Sequence, residues 1–290
     1  MSPLVVDLLV ALPPAAAAYL LTWRWPHRNL DAPRLPAATV ATEVRRHPRL
    51  RRLLQARLDP AVGTGLLLSV ASVVAVAATV GVGILVRMIH TNSGLARFDG
   101  AFARWGAKHA VGSSTAGLKL VSMLGGYEAL IIVSLIVVGL EYRRRLGRSV
   151  VVLLVLVVGG QFAVVNTVKA LVARTRPDIS RLTGFAGSSF PSGHAAAAAA
   201  SYAAFSLLLG RRRSPRMKAV LAAATAAIVA SVAASRVLLG VHWFTDVLAG
   251  AAIGWIWFTL ISIAFGGRIL RFGVPVAQAE AAEASIATTT

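Results

Sequence analysis

Six apolar runs of roughly bilayer length constrain this chain more than any other feature. They lie near residues 61 to 88, 127 to 142, 149 to 171, 193 to 210, 219 to 239 and 246 to 266. A spanning helix needs about 20 mostly apolar residues, because lipid offers no partner to an exposed backbone amide or carbonyl. With 57% hydrophobic and only 14% charged residues, the chain leaves the range of soluble domains. The expected fold class is all-α, a polytopic membrane bundle of six core transmembrane helices. A further apolar run, Val5 to Thr22, is interrupted by Asp7 and by Pro13 and Pro14, so spanning, lying in the interface and re-entering are all open to it. No positively charged stretch precedes it, and it is expected to be retained rather than removed as a signal peptide.

The net charge of +19 raises nucleic acid as a partner, but the arginines sit in short clusters between apolar runs, which is how cytoplasmic loops of membrane proteins look. No nucleic-acid partner is expected. The clusters fall in residues 24 to 57, Arg143 to Arg148 and Arg211 to Lys218, with Arg268 and Arg271 after the last run. Placing them in the cytoplasm puts residues 89 to 126, 172 to 192 and 240 to 245 on the outer face. The chain then divides into an N-terminal hydrophobic segment and basic cytoplasmic region (1 to 60), a six-helix membrane domain (61 to 271) and a disordered tail (272 to 290), the last being rich in Ala, Glu and Thr. Glu43 to Leu58 reads as a basic amphipathic segment, suited to an anionic inner leaflet or to a simple topology anchor. Phe98, Phe102 and Trp105, with Arg97, Arg104 and Lys108 between them, read as an interfacial helix on the outer side. Without cysteine there is no thiolate chemistry, and oxygen and nitrogen groups remain.

Charge beside a membrane helix is costly and usually functional, and three stretches concentrate it. In the first, Lys169 and Arg176 are seven residues apart, about two turns, and point the same way if the helix continues that far. Pro177 turns the chain into the outer loop. Taken alone, Lys169 also suits snorkelling, and Arg174 and Arg176 suit interfacial anchoring. In the second, Ser192 after Pro191 can cap a helix whose first amides, at Gly193 and His194, face an anion, although an ordinary cap beside an interfacial histidine fits equally. In the third, His242 and Asp246 are four residues apart and share a helix face, so the carboxylate can hold one ring nitrogen and leave the other a neutral nucleophile. Arg236 lies across Gly240, where a bend can bring its fork to the same anion. Together these residues point to phosphoryl chemistry at a membrane surface. Gln161 and Asn166 precede Lys169 on the same run and suit either a bond toward the site or helix pairing. Gly250 and Gly254 form a small-xxx-small pair suited to packing within the chain.

Lys169 with Arg176 and Pro177, then Pro191 to His194, then Ser235 and Arg236 with His242 and Asp246, resemble the complete three-part signature of the phosphatidic acid phosphatase type 2 superfamily, in order and internal spacing. The resemblance implies His242 as nucleophile forming a phosphohistidine, Asp246 orienting it, and His194 as acid for the leaving oxygen and then base for water. It implies Lys169, Arg176, Arg236, Ser192 and Gly193 as phosphate ligands, with no metal and no cofactor. Soluble vanadate-dependent haloperoxidases share the pocket, but the apolar runs favour the membrane lipid phosphatases. Across that branch the substrates include phosphatidic acid, phosphatidylglycerophosphate, lysolipid and sphingoid phosphates, prenyl diphosphates and sugar phosphates. An outward-facing site in a bacterial cytoplasmic membrane fits undecaprenyl or decaprenyl diphosphate, with phosphatidic acid or phosphatidylglycerophosphate as the alternative. A lipid transporter or scaffold without hydrolase activity is the competing class, and intact His194, His242 and Asp246 count against it.

Overall fold

The apolar runs fold as helices. A computed structural model describes residues 2–24, 63–142, 147–179, 182–184, 187–211 and 213–269. In chain order its helices are α1 (Pro3–Arg24), α2 (Gly63–His90), a 3-10 turn (Gly94–Phe98), α3 (Asp99–His109), α4 (Ser113–Met123), α5 (Tyr127–Tyr142), α6 (Gly147–Val172), α7 (Gly193–Gly210), α8 (Pro215–Leu238) and α9 (Phe244–Ile269), with no strand among the described residues. The basic segment Glu43 to Leu58, the arginines at 143 to 145, Arg271 and the tail from 272 lie outside the described residues. Contacts divide the chain into two units, Met1–Pro26 with Val76–Ile261, and His27–Ala75 with Ser262–Thr290. Of the second, the described residues are the opening turns of α2 and the closing turns of α9. Every residue of the site lies in the first.

Among the described residues, five helical stretches are long and apolar enough to cross a membrane: Pro3–Leu20, Val150–Val172, Gly193–Gly210, Pro215–Leu238 and Phe244–Ser262. The run at 127 to 142 differs from expectation. At 16 residues α5 is short, and it forms with α4 a pair bent by 49° that makes a sixth crossing if taken as one span. The bend falls at Gly125, where a Cβ would collide with the carbonyl of His194 and the side chain of Val232. The chain turns there because only glycine lets it lie so close to α7. Of the run at 61 to 88, the described residues, from 63 onward, lie within α2, whose stretch Thr79–His90 is apolar.

The interrupted run at Val5 to Thr22 is helical throughout, with Pro13 and Pro14 inside α1. Prolines are tolerated in membrane helices where neighbouring elements support the freed carbonyls. Here the neighbour is α8, antiparallel to α1. Leu4 packs against the buried cluster that contains Leu238 and Leu239 at one end, and the Arg216 guanidinium lies 5.2 Å from the Trp23 ring centroid at the other.

The core sits on α7. Ala195 to Ala200 are each at most 2% exposed, and their small side chains let α9 approach until Gly250 faces the Ser192 carbonyl and Gly254 the Ala196 carbonyl. Across α7, Ser206 Oγ donates to the Leu221 carbonyl at 3.0 Å, and it lies 2.6 Å from Thr225 Oγ1 on α8. Because the atoms facing Gly254 are backbone, they cannot rotate away from a new Cβ. Gly254→Ala is therefore expected to destabilise the protein by about 1–3 kcal/mol, read as a lowered unfolding temperature in detergent.

Candidate active site

Polar residues gather where α6 ends, α7 begins and α8 turns into α9. The turn between α8 and α9 is tight because Gly240 adopts a φ of 72°, a left-handed conformation that favours glycine. The amides of Val241 and His242 then both donate to the Arg236 carbonyl, at 3.2 and 3.3 Å. This is the bend that the spacing of Arg236 and His242 requires. On the α6 side the helix ends where the apolar run does and does not continue to Arg176. The helix stops at Val172, and Ala173 takes a φ of 47°, its amide closing on the Lys169 carbonyl at 3.0 Å. A left-handed residue just past a helix end is a common stop, usually made by glycine.

Lys169 and Arg176 nonetheless converge, through the loop rather than along a helix. Lys169 Nζ donates to the Ser188 carbonyl at 2.8 Å, and Arg176 Nη2 donates to the same carbonyl at 3.2 Å. Arg176 Nε donates to Gly187 O at 3.0 Å and Nη1 to Val241 O at 2.6 Å. The guanidinium thereby ties the 187 to 190 loop to the residue preceding His242.

Arg176 also fixes the state of the imidazole. Its Nη1 is 3.4 Å from His242 Nε2, and a guanidinium only donates, so Nε2 carries a lone pair and Nδ1 the proton. That Nδ1 lies 3.5 Å from Asp246 Oδ2, long for a hydrogen bond, with no closer partner. The carboxylate is held from both sides, Oδ1 accepting from Arg174 Nη1 at 2.6 Å and Oδ2 from the Trp243 amide at 2.9 Å. Burial pushes His242 below the ordinary imidazole range, to about 4, against the opposing pull of Asp246 and helped by Arg176 and Arg236. At neutral pH Nε2 is therefore a neutral nucleophile.

Arg236 approaches from α8, 4% exposed. Its Nη1 donates to Ser122 Oγ at 2.8 Å, while its Nε is buried without a partner. An unsatisfied buried donor costs about 1–3 kcal/mol, and such groups persist mainly where a ligand completes them. Ser192 caps α7, its hydroxyl accepting from the Ala195 amide at 3.5 Å, and its amide donates to the Asp246 carbonyl at 2.9 Å. The helix start and the His242–Asp246 turn are thus one piece. Gly193 opens α7, with only a Val165 methyl within 4 Å of where a Cβ would stand. His194 follows, half-buried, in the field of Arg236, His242, Lys169 and Arg176. All eight residues expected from the sequence lie in this one region. Chemically, it offers a neutral ring nitrogen oriented by a carboxylate, a second imidazole, and three cations beside a helix start, the elements that capture and cleave a phosphate ester.

This stretch matches a known family. Residues 150–269 match the PAP2 superfamily model, and the three motifs all fall inside them. Residues 150–269 are a PAP2 superfamily domain. The chain is 36% identical over 126 residues to phosphatidylglycerophosphatase B of Bacillus subtilis, covering 41% of this chain and 60% of that protein. It is also 36% identical over 107 residues to the lipid A 1-phosphatase of Rhizobium etli, covering 33% of this chain and 42% of that protein. The chain thus spans less than two thirds of either relative. The crystal structure of a transmembrane PAP2-type phosphatidylglycerolphosphate phosphatase from Bacillus subtilis is similar with a TM-score of 0.61 and 28% identity, over 67% of this chain and 96% of that chain.

The PAP2 domain also uses residues that motif reading passes over. Arg174 is not an interfacial anchor. It lies 14% exposed across Asp246, Thr245 and Asp99, its guanidinium 5.4 Å from the Trp243 ring centroid. Ser122 and Asp99 come from before the PAP2 domain and signal nothing locally, being a serine and an aspartate at helix ends. Asn166, on the exposed face of α6, donates to Phe162 O and lines an open cavity with Lys169, Arg174, Arg176, Asp178 and Ser188. Gln161 is fully buried.

Proposed function

We propose that this chain is an integral membrane lipid phosphatase that works through a phosphohistidine on His242, with its site on the outer face of a bacterial cytoplasmic membrane. The observation that carries the reading is the imidazole of His242, with Nδ1 toward Asp246 and Nε2 toward Arg176. Lys169, Arg176, Arg236, the Ser192 hydroxyl and the Gly193 amide bind the phosphate oxygens. Nε2 attacks phosphorus, the bond to the leaving oxygen breaks, and His194 delivers a proton to that oxygen. His194 then takes a proton from water, whose oxygen attacks phosphorus and breaks the bond to Nε2. Inorganic phosphate leaves and His242 returns to its neutral form. The three cations supply the charge stabilisation that phosphoryl transfer needs, so the reaction is expected to run without metal. The outward orientation is supported by the arginine clusters at the opposite loop ends.

The relatives named for phosphatidylglycerophosphate make a glycerophospholipid monoester the first substrate to try. A polyprenyl diphosphate is the second, favoured by the outward site and by the open cavity beside Lys169 and Arg176, which leaves room past the phosphate ligands. The test is phosphate release by purified protein in detergent with a chelator present, over phosphatidylglycerophosphate, phosphatidic acid and undecaprenyl diphosphate, from pH 5 to 8. Release from one lipid in preference to the others is expected. Silence from a folded protein toward all three would move the reading to a different phosphate substrate or to a non-catalytic role. Because His242 titrates near 4, its protonation should not limit the rate in this range. The same depression sets a stability trend. Between the ordinary imidazole value and about 4 the unfolded chain binds the extra proton, so stability falls as pH drops through that window and is unaffected by His242 above it.

A further inference from the structure

We infer that Asp99 and Arg174 are positioning residues for the phosphatase reaction: they form an alternating chain of charge that holds Asp246 with one oxygen free to face His242. The inference rests on the phosphohistidine reading for its purpose, and on geometry for its existence. Arg174 Nη1 donates to Asp246 Oδ1 at 2.6 Å and Nη2 to Asp99 Oδ2 at 2.8 Å. Nη1 also donates to Thr245 Oγ1 at 2.8 Å, while that hydroxyl donates to Asp99 Oδ2 at 2.7 Å. The second oxygen of Asp99 accepts from the Thr245 amide at 2.9 Å. Asp99 therefore caps α9 from another helix and anchors the guanidinium in the same contact.

These bonds determine how Asp246 can stand. With Oδ1 taken by Arg174 and Oδ2 by the Trp243 amide, the carboxylate plane has no freedom to turn, and the lone pairs left on Oδ2 face Nδ1. The side chains of Asp99 and Arg174 are 5% and 14% exposed, so solvent screens these ion pairs little. The chain also joins a helix outside the PAP2 domain to the nucleophile. Phe102 lies 5.0 Å from Phe244 between ring centroids, and Gly106 packs on the Leu238 backbone, so α3 is docked on both sides of the catalytic turn.

Charge gives the inference a signature that mere packing lacks. His242 is faced by Asp246 on α9, Arg176 from the loop after α6, Arg236 on α8 and His194 on α7, while Lys169 on α6 faces Asp246 and His194. Arg174 balances Asp246 from behind. Removing its charge leaves the carboxylate uncompensated and favours the imidazolium, whereas removing the charge of Asp99 leaves Arg174 wholly to Asp246 and does not.

The experiment is a histidine-labelled NMR titration of the full chain in detergent, taking as His242 the signal lost in His242→Asn, with lipid phosphate release measured alongside. The titration needs no turnover, so a wild-type protein that releases no phosphate would count against the phosphatase reading without blurring this one. Arg174→Gln is expected to raise the His242 midpoint by about one pH unit and to lower kcat on the order of 10- to 100-fold, with KM within about threefold because the phosphate ligands are untouched. Arg174→Lys should keep the wild-type midpoint while losing rate, since an ammonium lacks the planar fork. Asp99→Asn should lower kcat without raising the midpoint. An unchanged midpoint in Arg174→Gln, or equal shifts in the Gln and Lys variants, would overturn the inference.

Discussion

His242→Ala is expected to abolish phosphate release, by at least about 10⁴-fold, in a protein that stays folded. The size follows from the position of the ring. Nε2 is the nitrogen aimed at Arg176 and Nδ1 the one aimed at Asp246, and no other described side chain combines an oriented lone pair with the three cations. Removing the imidazole therefore removes the covalent step rather than weakening it. Stability should suffer much less, because the ring's two polar contacts are long ones of 3.4 and 3.5 Å. The check is phosphate release and thermal unfolding on the same preparation, and retention of more than about one hundredth of the rate would be incompatible with a nucleophilic role.

Arg176→Lys comes next in expected effect, at about 10²–10³ in kcat/KM, or roughly 2.7–4 kcal/mol of transition-state stabilisation. The substitution keeps the charge and so isolates the fork. Arg176 donates to the carbonyls of Gly187, Ser188 and Val241 while facing Nε2, a geometry that needs several donors in one plane. An ammonium cannot bridge the loop and the nucleophile at once. Both KM and kcat should worsen, because the loop that carries the Ser188 carbonyl, shared with Lys169, loses its tie to the catalytic turn. A lysine variant with wild-type kcat/KM would mean that the charge alone matters there.

What could be read in advance was whatever depends on spacing within one element. His242 and Asp246 are one turn apart on any helix, Ser192 precedes a helix after a proline, and Gly240 stands where a bend is needed. Each was legible, and the four spans from Val150 onward followed from run length alone. What failed or was missed depends on contacts between distant segments. Whether the helix reaches Arg176 was open in the sequence, and it is decided by the Ser188 and Ser189 loop, which bonds to Lys169, Arg174 and Thr175, because tertiary contacts outweigh a weak local preference. Arg174 differs from Arg176 by two positions and nothing else in sequence, and only the fold, by setting Asp99 146 residues away from Thr245 in hydrogen-bond range, separates an anchor from a positioning residue. Ser122, reaching Arg236 across 114 residues, is the same case. The bent pair α4 and α5 was obscured because its hinge, Gly125, answers to His194 and Val232 rather than to its neighbours.

The most direct test of the account is to trap the covalent intermediate. Purified protein mixed briefly with a lipid carrying labelled phosphate and quenched in alkali is predicted to hold label on a single peptide containing His242, acid-labile and base-stable, absent from His242→Ala and both slower to form and slower to decay in His194→Ala. Steady phosphate release with no labelled protein at any quench time, or label that survives in His242→Ala, would contradict the central claim.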